Sequence, residues 1–137
     1  MERVQTMKGY LATVAFVLSA ICIPAQGAEF DGSRLLICAN VEAADCAPGE
    51  SCSRQRPDDL GAPAFIRIDF NRKTIVGPKR TTEITLIEKS DRQLLLQGTE
   101  LGYAWSIALD TGTGKITATL ADRMGAIVLF GSCMAMP

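Results

Sequence analysis

Past Pro63 the chain reads as short apolar runs in which apolar and polar residues alternate with a period of two, each run ending in a turn of a few residues. That period is the signature of half-buried β-strands. Intervals this short join sequential strands as antiparallel hairpins, and a meander of such hairpins curls toward a barrel. About eight strands are expected in all. The first covers residues 34–40, with Leu35, Ile37 and Ala39 on one face. Residues 41–63 read as an irregular loop with room for a helical turn, because they hold two cysteines, three prolines and the pair Asp58-Asp59. Further strands are expected at 65–70, 74–76, 82–88 (Ile84 and Leu86 inward), 93–97, 103–110, 115–121 and 126–133. In the 103–110 strand Tyr103, Trp105, Ile107 and Leu109 share a face. The last strand is apolar on both faces, as a central or closing strand is. The fold class predicted is all-β, an antiparallel meander forming a small barrel or near-closed sheet, with a two-sheet sandwich as the alternative.

Residues 1–28 have a different character. Arg3 and Lys8 precede an apolar run over 11–23, then Pro24 and the small residues Ala25, Gly27 and Ala28. The run is too short to span a bilayer comfortably, and its flanks fit a signal peptide. The expectation is therefore a leader over 1–28, cut after Gly27 or Ala28, and one β domain over 29–137. An uncleaved anchor and a lipid-modified Cys22 use the same segment. Cys22 is a poor lipidation site, since Ile21 rather than a small residue precedes it.

Removing the leader leaves Cys38, Cys46, Cys52 and Cys133. An even count in an exported chain reads as disulfides. Of the three pairings, Cys38–Cys133 with Cys46–Cys52 is favoured: one bond joins the first and last strands, the other closes a loop turned by Pro48 and Gly49. Zinc is the competing use of four cysteines. Their spacings do not form the short pairs typical of zinc sites, and the chain has no histidine. No metal or cofactor is expected.

The balance of charge narrows the partners. Loss of Arg3, Lys8 and Glu2 with the leader takes the 14 basic and 15 acidic residues to 12 and 14. No basic excess points to nucleic acid, or to a membrane surface once the leader is gone.

Several features follow one another along the domain: Cys38 on an early strand, the loop from Asp45-Cys46 to Cys52, the run Phe65-Ile66-Arg67-Ile68-Asp69-Phe70, Trp105-Ser106 leading to Asp110 and Gly114-Lys115, and a closing Phe130-Gly131-Ser132-Cys133. This order resembles small exported all-β proteins with two disulfides that are common in proteobacteria. The resemblance implies the fold and carries no assigned activity. The architecture also resembles the inhibitors of C-type lysozyme, small barrels with an end-to-end disulfide, although their Ser-Gly-x-x-Tyr motif is absent here.

Chemistry is constrained most by the missing histidine, which removes the commonest general base and Ser-His or Cys-His activation. With the cysteines oxidised no thiolate remains. Asp69 and Asp110 each end a strand, where aspartate caps turns. Asp110 to Lys115 lacks the spacing and the following helix of a phosphate loop and reads as a hairpin. No enzyme is expected. The reading is a non-catalytic periplasmic or secreted binding protein, or an inhibitor, acting through loops on a rigid scaffold. Its partner would be a protein or small molecule of the cell envelope. Candidate binding residues are Arg54, Arg56, Asp58 and Asp59 in the long loop, and Tyr103 and Trp105, which form a platform if their face opens to a pocket. Lys79 and Arg80 offer a basic rim. The alternatives are a carrier holding an apolar ligand inside the barrel and a structural envelope component.

Overall fold

The computed structural model describes residues 29–137; residues 1–28, and with them the expected leader, lie outside the described residues. Ten strands form: β1 (Leu36–Cys46), β2 (Ser53–Gln55), β3 (Phe65–Asp69), β4 (Thr74–Val76), β5 (Thr81–Glu83), β6 (Leu86–Lys89), β7 (Gln93–Glu100), β8 (Tyr103–Asp110), β9 (Lys115–Ala121) and β10 (Ala126–Ala135). A 3-10 turn over Pro57–Leu60 follows β2. The sheet order is β5-β4-β3-β1-β10-β9-β8-β7-β6, with β2 beside the second half of β1. Every pairing is antiparallel. The fold is thus all-β, a curled antiparallel half-barrel.

β5 and β6 are neighbours in sequence but stand at opposite ends of the sheet order. The dipeptide Ile84-Thr85 joins them. Ile84 N–H donates to Lys73 O and Thr85 N–H to Gln97 O, both at 2.8 Å. This corrects the expected single strand over 82–88. Ile84 is buried as foreseen, but Leu86 is 43% exposed because β6 starts a new edge strand with a new facing.

The first strand also differs from expectation. It continues to Cys46, so the first part of the expected loop is sheet. Its buried face holds Leu36, Cys38 and Asn40, while Leu35, Ile37 and Ala39, grouped together from the sequence, are half-buried. Successive strand side chains point to opposite faces, so the side on which Cys38 meets Cys133 fixes the parity of the whole run. A bulge between Asn40 and Glu42 then shifts the register. Val41 is left 71% exposed, and Ala43 becomes the next buried residue. Gly131 lets the strands approach there, since a Cβ on it would lie 2.0 Å from Ala39 O.

Both disulfides are those favoured from the sequence, Cys38–Cys133 and Cys46–Cys52. Cys38 and Cys133 stand directly opposite each other in the β1–β10 register. Cys133 N–H turns away to Gly114 O at 2.7 Å. The cysteines therefore occupy a non-hydrogen-bonded pair, the closer of the two antiparallel kinds, and a bond between the strands needs no backbone movement. Cys46–Cys52 closes the hairpin of β1 and β2. Two intramolecular disulfides are typical of proteins in oxidising compartments, such as the periplasm or the extracellular space.

One end of the half-barrel is packed shut. Leu36, Ile68, Leu94 and Leu109 are wholly out of solvent there or nearly so. Phe30 packs against this core and closes over Gly114, and Phe70 packs beside it.

Candidate functional site

The other end is open. A cavity of about 880 Å³, within the range of small-molecule sites, is lined there by residues of β1, β3, β4, β8, β9 and β10: inward ones such as Ile66 and Ile107, and ones of the opposite parity such as Ile37, Phe65 and Arg67. Its wall is mostly apolar, with Ile66, Ile75, Ile107 and Leu129 prominent. Ala62 and Ala118 are small where the closed end carries leucine, so volume is left over.

Two polar side chains sit in this apolar wall. Asn40 precedes the β1 bulge and is 5% exposed. Its backbone N–H donates to Ala64 O at 2.8 Å, and its Nδ2 donates to Pro63 O at 2.9 Å. That second bond fixes the amide, because a flipped Asn40 would set its oxygen against a carbonyl. Oδ1 is left buried with no hydrogen-bond partner among the described residues. Trp105, on β8, is 8% exposed and pairs across the ladder with Gly98 of β7. Its indole occupies the space a side chain at Gly98 would need: a Cβ there would lie 2.3 Å from the ring. Trp105 Nε1 is likewise buried without a partner among the described residues. Leaving a buried donor or acceptor unpaired costs about 1–3 kcal/mol each. Both orphans belong to residues that line the same cavity.

The mouth is formed by the Pro57–Leu60 turn and the segment after it, residues 77–80, and the β7–β8 hairpin. Glu100 pairs with Tyr103, so the hairpin loop is Leu101-Gly102, with φ of +48° and +86°. A two-residue loop with both central φ angles positive is type I′, which favours Asn-Gly or Gly-Gly. Leu101 is a poor occupant of that backbone region, and it is also 67% exposed at the cavity mouth. Charges at the rim are mixed: Arg67, Lys79 and Arg80 with Asp58 and Glu100.

Of the candidate residues read from the sequence, Asp58, Tyr103 and Trp105 come together around this cavity. Tyr103 lies at its exposed edge and Trp105 in its wall. Arg54, Arg56 and Asp59 do not line it. Arg54 pairs with Glu42. Arg56 donates to both carboxylate oxygens of Asp59, at 3.0 and 3.1 Å. That hydrogen bond holds the Asp59 carboxyl below its ordinary range and raises the Arg56 guanidinium. Both pairs are exposed and contribute little to stability. Asp110 caps its hairpin, its Oδ1 accepting from Gly112 and Thr113 N–H at 2.8 Å, and these bonds hold its carboxyl below the usual range. Asp69 Oδ1 accepts from Arg72 N–H at 3.0 Å in the same way.

Sequence reasoning passed over Asn40, the last residue of its first strand, and gave it no role. The signal lay in parity: Asn40 is two residues from Cys38, so it faces inward with it. Comparison with family models, with curated proteins and with solved structures returns no match.

Proposed function

We propose that the protein is a non-catalytic binding protein that holds one small, largely apolar molecule in the open end of the half-barrel. The observation that carries this reading is the cavity of about 880 Å³ with its isoleucine and tryptophan wall. A barrel of this size either fills with side chains or keeps room for one ligand, and here the same strands do the first at one end and leave space at the other. The loop-centred reading has less behind it, because Arg54 and Arg56 are already paired with Glu42 and Asp59. The signal-like character of residues 1–28 and the two disulfides support export to the periplasm or beyond as part of the same proposal.

The test is native mass spectrometry of the oxidised protein isolated from its own cells, with naphthalene binding measured by calorimetry alongside. A species heavier by one small molecule, returning to the bare chain mass on denaturation, is the expected result. A bare chain that also fails to bind naphthalene overturns the reading.

A further inference from the structure

We propose that the mouth of the cavity docks on an anionic lipid bilayer, with Leu101, Phe65 and Tyr103 entering the interface and Lys79 and Arg80 facing the lipid phosphates. The inference rests on the cavity reading above and adds where the ligand is exchanged.

Leu101 stands in the left-handed region at φ +48°, in a loop type that favours asparagine or glycine. A leucine held there is strained, and strained residues gather at functional sites. Leu101 is also 67% exposed, so packing within the chain offsets little of that strain. An apolar side chain is kept where it is hardest to hold and most open to what lies outside.

Its neighbours share that exposure. Thr82 Oγ1 donates to Thr99 O at 3.2 Å, a Cβ on Gly98 would lie 2.6 Å from Glu83 O, and Thr85 N–H donates to Gln97 O at 2.8 Å. Residue numbers rise on one segment as they fall on the other. Residues 81–85 therefore run antiparallel to 97–100, which carries the 77–80 turn alongside the Leu101-Gly102 loop. That turn is closed by Gly77 N–H donating to Arg80 O at 2.8 Å, and it presents Lys79 and Arg80, both exposed. Neither makes an ion pair among the described residues. On the other side of the turn is Pro63, 3.9 Å from where a Cβ on Gly77 would stand. Two residues further, Phe65 is 61% exposed, and Tyr103, just after the Leu101-Gly102 loop, is 36% exposed. The mouth thus carries exposed apolar side chains on both sides of two unpaired cations.

Charge at the mouth runs against the chain as a whole. The sequence has 14 basic and 15 acidic residues, whereas the cavity lining sets Arg67, Lys79 and Arg80 against Asp58 and Glu100. Asp58 adds to Asp59 in raising the Arg56 guanidinium, so its charge is partly offset. Glu100 is half-buried in the β7–β8 ladder. Apolar tips beside unpaired cations suit an anionic lipid surface, where the tips leave water and each Lys or Arg is drawn to the negative headgroups. A second copy seated mouth to mouth would set these cations against their own kind. A rigid protein partner would have to bridge an open cavity, whereas a fluid surface closes over it. An apolar ligand prefers lipid to water, so a mouth laid on the bilayer takes it up without a passage through solvent.

The test is flotation of the oxidised protein, isolated from its own cells, with vesicles of phosphatidylcholine alone and of phosphatidylcholine mixed with phosphatidylglycerol. Binding to the mixed vesicles is expected, with weaker binding to phosphatidylcholine and a fall as salt is raised. Lys79→Gln and Arg80→Gln together should lower partitioning into the mixed vesicles about thirtyfold. Leu101→Asn should lower it about tenfold. Asparagine suits the turn, so that loss does not come from a damaged fold. The variants share whatever residues 1–28 contribute, and the comparison among them reads the mouth alone. Flotation that is indifferent to phosphatidylglycerol, or that both variants leave intact, overturns the proposal. Failure to float also overturns it, and a dimer that Leu101→Asn dissociates would then give the surface to a second copy. Naphthalene calorimetry without vesicles keeps the two readings apart. No flotation with naphthalene bound strikes the docking and leaves the cavity reading standing, and flotation without naphthalene binding overturns the cavity reading.

Discussion

The two ends of the half-barrel are built from the same strands and differ in what those strands point inward. β8 buries Leu109 completely at one end and presents Trp105 and Ile107 to a cavity at the other. β1 does the same with Leu36 and Asn40, and β3 with Ile68 and Ile66. At the closed end Phe30 comes from outside the sheet to complete the packing, and no equivalent side chain seals the open end among the described residues. The contrast teaches that curling alone does not make a binding site. The backbone supplies a concave wall along its whole length, and the choice of alanine, asparagine and tryptophan at one end decides where space remains.

The largest expected effect tests what holds that wall in shape. Replacing both Cys38 and Cys133 with alanine releases a loop with a sequence separation of 95. Chain entropy puts the loss at about 4–5 kcal/mol, against about 2 kcal/mol for Cys46 and Cys52, whose separation is 6. Urea unfolding of the two double variants should rank them in that order; equal losses would mean that the strand pairing, not the long loop, sets the cost.

Core truncation breaks or supports the comparison itself. Leu109→Ala at the closed end should cost about 3 kcal/mol, since it opens a void in packed surroundings. Ile107→Ala, on the same strand and only 4% exposed but bordering the cavity, should cost less, because the space it vacates joins an opening that water can enter instead of leaving a sealed void. Equal midpoint shifts in urea would show that the open end is as tightly packed as the closed one.

Leu101→Asn at the mouth should stabilise the protein by about 1 kcal/mol by relieving a left-handed leucine. If Leu101 is kept for ligand capture, the same variant should weaken naphthalene binding, and thermal unfolding with calorimetry reads both. The smallest effect is a pH dependence at the closed end. Hydrogen bonds from the Gly112 and Thr113 backbone hold the folded Asp110 carboxyl below its ordinary range. Its contribution is therefore present above the unfolded pKa and fades as pH falls through the lower folded value. Asp110→Asn should flatten the acid limb of a stability profile in that window and leave neutral-pH ligand binding unchanged.

Much of the closed end was legible in the sequence. The alternation in residues 103–110 and 115–121 gives those strands, aspartates end strands where turns begin, and the cysteines pair as spacing and compartment suggest. The open end was less legible for a specific reason. A bulge reverses inward and outward within β1, and period-two reasoning carries no information about an inserted residue such as Val41. The break at Ile84-Thr85 was hidden similarly, because its apolar pattern runs on from β5 into β6 without a Gly or Pro to mark the corner. Trp105 and Tyr103 could be placed on one face from sequence, but whether that face met leucine or empty space depended on strands far away in the chain.

The pairing of β1 with β10 bears on how the protein comes into being. The middle of the sheet is made from the first and last strands of the described chain, and the residues between them form its flanks. β1 is synthesised long before its central neighbour, so the flanking hairpins β3-β4-β5 and β6-β7-β8-β9 are complete in sequence before the pairing that joins them. Contacts this distant in sequence make for slow closure. The native partner of Cys38 is Cys133 on the last of these strands, so the bond that staples the middle of the sheet can close only after β10 is made.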